Sequence, residues 1–316
     1  MFVKKEIEVN CKKAILVQGL GEYNLKDTME CGQCFRYERV NSSEYLSEYY
    51  TVVGNVHVHV CQSKIGELIF IDIDDVTFET VIKDYFALSR PLEEIKEDIK
   101  RHTDSAWLLD AAEKSGGIAI LKQDPWEALM SFIISQNNNI PRIRKIVREI
   151  CAEYGVNLYL QSPNHHTCPL NIIDTTPCEE KCKKCGRCYT FPTPEDILKN
   201  PDGLLPSRPG FRYSYILDAA EAVASGRCNL SKIAEEKSYE YTKEELKKIK
   251  GVGDKVAACV ALFGFANLEA FPIDVWMKRA IDTYFDGELD PTTLGKYAGI
   301  AQQYIFNYIR YLNSKG

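Results

Sequence analysis

The chain has 316 residues, of which 45% are hydrophobic, and it carries a formal net charge of −6. This length can bury a large core and is typical of two domains, while the acidic balance argues against indiscriminate binding to nucleic acid. Because no run of about eighteen apolar residues occurs and the start lacks the pattern of a secretory signal, we expect a cytoplasmic protein of a prokaryote, with the nucleus as the alternative.

The first hundred residues mix strand and helix patterns. Residues 49–61 alternate in polarity and predict two strands joined at Gly54 and Asn55, residues 68–73 predict another strand, and residues 77–88 have helical spacing. His57 and His59 share one face of a strand, and we assign them to a solvated sheet face without a ligand role. The pattern predicts an N-terminal α/β domain with an antiparallel sheet over residues 1–105.

From residue 106 onward the apolar spacing is helical. Asp124, Pro125 and Glu127 form a strong helix start, with an N-cap, a proline at the first position and a glutamate three residues after the cap. The polar residues 135–139 compete for backbone hydrogen bonds and should end this helix. We therefore predict the α+β class, in which residues 106–316 form a mostly α-helical second domain.

Residues 162–190 form a cysteine-rich insert in this second domain. Four cysteines with the short spacings of a metal site are Cys178, Cys182, Cys185 and Cys188. Cys168, His165 and His166 lie just upstream and could replace one of them. Structural zinc is the first interpretation, an iron–sulfur cluster is the second, and a flexible loop with free thiols is the third.

Residues 246–279 predict a helix, a tight turn at Gly251 and Gly253, a second helix beginning at Asp254 and Lys255, and a third helix beginning at Asp274. The glycines let backbone N–H groups point outward at a helix N-terminus, which is a phosphate-binding arrangement. Such a turn alone is common. The added lysine, and an aspartate nineteen residues after it, make the pattern specific.

Four segments together carry a family resemblance. They are CGQCFRYE (31–38), DPWEALMSFIISQNNNIPRI (124–143), the glycine turn with its flanking helices (246–279) and YAGIAQQYIF (297–306). In this order they resemble the 8-oxoguanine DNA glycosylase family of the helix-hairpin-helix superfamily. The resemblance implies a helix-hairpin-helix glycosylase domain in residues 106–316. It also implies a monomeric DNA glycosylase and abasic-site lyase that needs no cofactor for catalysis and no membrane.

The resemblance also implies the chemistry of the site. Lys255 corresponds to the nucleophile that attacks C1′ of the damaged nucleotide, and Asp274 to the carboxylate that stabilises positive charge on the sugar. Lys255 must be uncharged to attack, which its place at a helix N-terminus and burial beside apolar groups favour.

A damaged base can react only after it has rotated out of the duplex into a pocket. By resemblance, Cys259 and Phe306 sandwich this base, Gln302 bonds its pairing edge, and the carbonyl of Gly32 accepts the hydrogen that 8-oxoguanine carries on N7. Guanine lacks that hydrogen, so the carbonyl can distinguish the two bases.

The family also contacts the opposite strand and the phosphates. Asn137 corresponds to the residue that fills the gap, Arg142 and Arg212 to those that read cytosine, and Phe211 to the aromatic wedge. Three further DNA contacts are implied at Gly251, Gly253 and Trp276. Trp276 departs from the histidine often found there, and Pro141 departs from a small residue before Arg142, so the opposite-base preference stays open.

Two other functions remain as alternatives. One is a non-catalytic DNA-binding protein in which the glycine turn binds phosphate and the cysteine insert is a second binding module. The other is a glycosylase for a different lesion. Cys259, Gln302 and Phe306 favour a base-excising enzyme, because phosphate binding alone needs none of them, and Gly32 with Gln302 favours 8-oxoguanine.

Overall fold

The computed structural model describes residues 2–158 and 188–313. Within these ranges the strands are β1 (Val3–Val9), β2 (Lys12–Gln18), β3 (Tyr37–Val40), β4 (Ser47–Val53), β5 (Val56–Lys64) and β6 (Glu67–Ile71). They form one antiparallel sheet in the order β1-β2-β6-β5-β4-β3. The sheet therefore occupies the N-terminal part of the chain, as predicted.

The hairpin of β4 and β5 is the one that the alternating pattern predicts. Gly54 begins its turn with a φ of +56°, a conformation that glycine adopts without strain. On β5, Val58 and Val60 are fully buried on one face of the sheet. The sequence does not predict β1, β2 and β3. On β1 no residue is buried, so the polar-apolar contrast that reveals a strand is weak there.

The opposite face of this hairpin is less solvated than predicted for His57 and His59. Both histidines are half-buried rather than exposed. The Tyr50 ring stacks on His59 with centroids 4.2 Å apart, and it lies 5.4 Å from His57. A small apolar cluster also covers part of this face, and it consists of Ala14, Cys61, Ile69 and Ile71. The prediction of a solvated sheet face is therefore only partly correct.

Helices follow the sheet. The described helices are α1 (Leu25–Glu30), α2 (Asp75–Thr77), α3 (Lys83–Tyr85), α4 (Leu92–Arg101), α5 (Ala106–Ser115), α6 (Pro125–Ser135), α7 (Ile140–Tyr154), α8 (Pro194–Lys199), α9 (Arg212–Ala224), α10 (Leu230–Glu236), α11 (Tyr239–Lys247), α12 (Asp254–Gly264), α13 (Val275–Tyr284) and α14 (Ala298–Asn313). A π-helical turn, Phe78–Ile82, joins α2 to α3. None of the helices in the described ranges is long and apolar enough to cross a membrane.

Two hydrophobic cores meet beside the sheet. One lies between the sheet and the helices next to it, and the other lies among the later helices. Between them, residues 118–121 alternate: Ile118 and Ile120 pack into the helical core, whereas Ala119 and Leu121 pack into the sheet core. The predicted division at residue 105 thus falls near segments that contribute to both cores, and it stays a prediction.

Helix α6 lies at the centre of the helical core. It begins where predicted, because the Asp124 side chain accepts a hydrogen bond from the Glu127 N–H at 2.9 Å. The Glu127 carboxylate does not return to the cap. It accepts instead from Arg36, at 2.8 Å, and so ties the helix to the N-terminal half. Phe132 stacks on Phe263 of α12, with centroids 5.3 Å apart.

The cysteine-rich insert leaves and rejoins the body at one place. The N–H of Leu158 donates to the Cys188 carbonyl, and the N–H of Thr190 donates to the Val156 carbonyl, both at 2.9 Å. Cys188 is buried at this neck. The predicted metal ligands Cys178, Cys182 and Cys185 lie outside the described residues, as do His165, His166 and Cys168.

Candidate active site

The glycine turn between α11 and α12 has the geometry that its sequence predicts. Gly251 has a φ of +83°, and a Cβ built there would lie 2.3 Å from the Tyr215 ring, so both conformation and space require glycine. Gly253 is the exposed N-cap of α12, and it has no side chain with which to cap the first turn. The start of α12 therefore presents its positive dipole end to an external anion such as phosphate.

Lys255 is the second residue of α12, and it lies half-buried against α6. Its ammonium nitrogen donates to the Ser135 hydroxyl at 3.3 Å and lies 5.3 Å from the centre of the Phe132 ring. The side chain lines a cavity rather than extending into bulk solvent. This is the position that a nucleophilic amine needs.

Asp274 lines the same cavity. It is the N-cap of α13, and its carboxylate accepts from the Met277 N–H at 2.8 Å, which fixes its orientation. Burial raises the pKa of the Cys259 thiol, an effect that the Lys255 charge opposes and the Asp274 charge reinforces. The charges of Lys255 and Asp274 therefore both act on the Cys259 thiol, and the three side chains lie close together.

The cavity has a volume of about 1080 Å³ and lies between the two halves of the chain. This size is slightly above the range of sites for small organic molecules, which span roughly 300–1,000 Å³. Its walls include Gly32 and Phe35 from the N-terminal half, Phe132 and Ser135 from α6, and Phe306 and Arg310 from α14. A flat ring could therefore enter between aromatic walls within reach of Lys255 and Asp274.

Gly32 faces Phe306 across one end of the cavity. A Cβ built on Gly32 would lie 3.7 Å from Phe306 Cε1 and 3.8 Å from Ile140 Cδ1, so a methyl group has room. The φ of +86° disfavours any other residue. The backbone conformation, more than crowding, explains the glycine.

Gln33 holds this glycine in place, a role that the sequence alone does not reveal. Its buried amide donates to the carbonyls of Thr28 and Ala119 and accepts from the Leu121 N–H, all at 2.8 Å. Its backbone carbonyl accepts from the Gln123 side chain at 2.7 Å. These four bonds fix both the side chain and the backbone carbonyl of Gln33. Because Gly32 and Gln33 share a peptide bond, the same bonds restrict the direction of the Gly32 carbonyl.

We expect Gln33→Met to lower the free energy of unfolding by about 2–4 kcal/mol, because it leaves two buried backbone groups, the Ala119 carbonyl and the Leu121 N–H, without a partner. The matched control is Gln18→Met, since the Gln18 amide is half-buried and bonds the Glu67 carboxylate at the sheet. Urea unfolding of the two variants measures the difference. Equal losses would contradict the anchoring role.

Cys259 and Gln302 lie behind the cavity wall and do not belong to its lining. Each is only 3% exposed. The Gln302 amide oxygen accepts from the Gln303 side chain at 2.6 Å. Of the predicted base-binding residues, Gly32 and Phe306 thus meet at the cavity, whereas contact of Gln302 and Cys259 with a base stays a prediction.

The predicted opposite-strand residues gather at the rim. Asn137 and Arg142 line the cavity, and Pro141 lies in the first turn of α7, where its missing N–H costs no hydrogen bond. Arg212 is buried and donates to the carbonyls of Gln136 at 2.8 Å and Asn137 at 3.0 Å. Arg212 therefore joins the start of α9 to the loop of residues 136–139.

Two exposed aromatic side chains flank this region. Phe211 is 52% exposed, and the Arg212 guanidinium lies 4.4 Å from its ring centre. Trp276 is 39% exposed, lines the cavity and lies 5.5 Å from the Arg279 guanidinium. Exposed aromatic side chains, each next to an arginine, thus flank the cavity.

Comparison with known proteins gives consistent matches. Residues 15–129 match the family model described as 8-oxoguanine DNA glycosylase, N-terminal domain. The chain is similar to the N-glycosylase/DNA lyase of Saccharomyces cerevisiae, with 30% identity over 82% of this chain and 67% of that protein.

Solved structures match over nearly the whole chain. The structure of MBOgg1 in complex with a low-affinity DNA ligand has 32% identity and a TM-score of 0.81, covering 99% of both chains. Clostridium acetobutylicum 8-oxoguanine glycosylase/lyase, bound to double-stranded DNA with cytosine opposite the 8-oxoguanine, has 30% identity and a TM-score of 0.80, covering 98% of both chains.

Proposed function

Because the chain belongs to the 8-oxoguanine DNA glycosylase and lyase family, we propose that it removes 8-oxoguanine from double-stranded DNA and then cleaves the strand at the abasic site. One observation carries the proposal: Lys255 and Asp274 line the same cavity as Gly32 and Phe306. The reacting groups and two of the base-recognising groups thus converge on a space that can hold an extruded purine.

The reaction begins when the uncharged amine of Lys255 attacks C1′. A bond forms between Nζ and C1′, and the glycosidic bond breaks, with its electron pair leaving on the base. The negative Asp274 stabilises the positive charge that develops on the sugar, and its N-cap bond holds it rigidly. The sugar ring then opens to a Schiff base. Loss of a C2′ proton from this imine expels the 3′ phosphate.

Selection of the damaged base depends on the Gly32 carbonyl, which accepts from N7–H of 8-oxoguanine and repels the bare N7 of guanine. Phe306 stacks on the base, with Cys259 on its other face, and Gln302 bonds the pairing edge. Stacking contributes roughly 1–3 kcal/mol, but it does not distinguish one base from another. The anchored carbonyl therefore provides the discrimination.

Residues at the rim of the cavity provide the proposed contacts to the two DNA strands. Asn137 fills the gap that the extruded base leaves, Phe211 wedges the stack, and Gly251, Gly253 and Trp276 lie along the phosphates. Arg142 is exposed and free to reach the cytosine. Arg212 must first release part of its bonding to the carbonyls of Gln136 and Asn137. We propose that the protein acts as a monomer where the DNA is, in the cytoplasm of a prokaryote.

The deciding experiment mixes the protein with a duplex that holds one 8-oxoguanine opposite cytosine, in the presence of borohydride. We expect free 8-oxoguanine, a cleaved strand and a covalent protein–DNA adduct, with none of these from the undamaged duplex. Tight binding without adduct would instead favour the non-catalytic DNA-binding protein. An adduct formed only with another damaged base would favour a different lesion.

The cysteine insert leads to a second proposal, that Cys178, Cys182, Cys185 and Cys188 hold one structural Zn²⁺ ion. Their spacing supports it, as does the neck at Cys188, which brings the two ends of the insert together. An iron–sulfur cluster remains the alternative. Catalysis itself needs no cofactor in this proposal.

We expect Cys182→Ser to lose one equivalent of zinc relative to the parent protein, because three thiolates and a hydroxyl bind zinc far more weakly than four thiolates. Elemental analysis measures this, with Cys11→Ser as the control, since Cys11 is exposed and outside the insert. Borohydride trapping should survive chelation. A brown protein containing iron would contradict the zinc assignment.

A further inference from the structure

The outward face of the N-terminal sheet brings three metal-binding side chains together. Glu48 of β4 pairs directly with Cys61 of β5, and His59 lies two residues before Cys61, so all three side chains share one face. Their donor atoms lie within 4.8 Å of one another, which holds for no other such group among the described residues. His59 Nε2 is 2.7 Å from Glu48 Oε1 and 3.5 Å from Cys61 Sγ.

The surroundings fix these groups and shield them partly from water. Cys61 is fully buried and packs in the small apolar cluster with Ile69 and Ile71. The side chains of His59 and Glu48 are 18% and 12% exposed. The Tyr50 ring stacks on the imidazole at 4.2 Å. An ion here would have an apolar shell on one side and an open position toward solvent on the other.

The other two groups of the cluster share one ring nitrogen of His59. A single ring nitrogen, Nε2, faces both the Glu48 carboxylate and the Cys61 thiol. If Nε2 carries a proton, it can donate to the carboxylate, but it then has no lone pair for the thiol. A metal ion accepts one lone pair from each of the three atoms and removes this conflict.

One of the two separations at His59 already suits zinc, and the other needs a small adjustment. Zinc–ligand bonds of about 2.0–2.3 Å in a tetrahedron place the ligand atoms roughly 3.3–3.8 Å apart. The separation of His59 Nε2 and Cys61 Sγ is already 3.5 Å. The Glu48 carboxylate is too close to His59 at 2.7 Å, and a small rotation of this side chain would bring it into range.

We propose that Glu48, His59 and Cys61 form a Zn²⁺ site on the outer face of the sheet, with water as the fourth ligand. The ion would join β4 to β5 by a bond between side chains. None of its three ligands lines the catalytic cavity. The site is separate from both the glycosylase chemistry and the cysteine insert.

The test is a titration of the reduced, metal-free, full-length protein with Co²⁺, a coloured probe for zinc sites. We expect His59→Gln, Glu48→Gln and Cys61→Ser each to lose one equivalent of tightly bound cobalt relative to the parent. Cys61→Ser should also lose the absorption band of one cobalt–thiolate bond. His57→Gln is the matched control, because His57 lies on the same face of β5 but outside the cluster.

Cys182→Ser tests the insert cysteines separately. In the double variant, the cobalt lost through Cys182→Ser should add to the cobalt lost through His59→Gln. If Cys61→Ser fails to fold, as judged by circular dichroism and borohydride trapping, the half-buried His59 and Glu48 still provide the test. The proposal would be overturned if all the folded variants of Glu48, His59 and Cys61 bound as much cobalt as the parent protein. It would also be overturned if His57→Gln lost as much cobalt as they do.

Discussion

Replacement of Lys255 by glutamine is expected to abolish base release and strand cleavage together, because one amine carries out both the attack on C1′ and the Schiff-base step. Loss of a nucleophile reduces the chemical step by roughly 10³-fold or more. Glutamine retains much of the length of the side chain and can bond the Ser135 hydroxyl, so folding and DNA affinity should change little. Single-turnover assays on an 8-oxoguanine duplex measure both products.

The matched control for this prediction is Lys250→Gln. Lys250 lies in the same glycine turn but is exposed and does not line the cavity. It should keep the full yield of borohydride adduct while binding DNA slightly more weakly in low salt, since it loses one cation near the phosphates. An adduct that persists in Lys255→Gln would assign the nucleophile to another amine.

Asp274→Asn is expected to slow base release by roughly 10²–10³-fold without destabilising the protein. The size follows from removing one fixed charge that acts on the transition state in a partly dehydrated site. Stability should hold within about 0.5 kcal/mol, because asparagine caps a helix as well as aspartate and can accept the same bond from the Met277 N–H. Single-turnover rates and thermal unfolding give the two quantities.

Asp124→Asn provides the comparison. Asp124 is likewise an N-cap aspartate and bonds the Glu127 N–H, but it is exposed and lies away from the cavity. Its variant should keep both rate and stability. If Asp274→Asn lost as much stability as rate, the carboxylate would be a cap whose effect on catalysis is indirect.

The sequence predicts best those features whose signals are local. The start of α6 at Asp124, the turn at Gly251 and the cap at Asp274 each lie within a few residues of the structure they determine. The β4–β5 hairpin is predicted for the same reason. β1 is not, because its half-exposed residues give little contrast between the two faces.

Contacts between distant segments could not be predicted from these residues. Glu127 suits a capping box by its spacing, but it bonds Arg36 of the N-terminal half. The resemblance predicts a base-reading role for Arg212, which stays a prediction, but it does not predict the bonds of Arg212 to the carbonyls of Gln136 and Asn137. In both cases the hydrogen-bond partner lies far away in the sequence, so local spacing cannot predict it. Which of several possible partners a side chain bonds is decided only when the fold brings the distant segments together.

The paired backbone at the neck of the cysteine insert affects how this protein can change over generations. Since the chain departs at Leu158 and returns at Cys188 in adjacent positions, the intervening stretch can grow or shrink while the body keeps its own contacts. The entropic penalty of a longer excursion rises only with the logarithm of its length. Such an anchorage lets the stretch between these two residues be gained or lost as a unit, while the contacts around Lys255 stay the same.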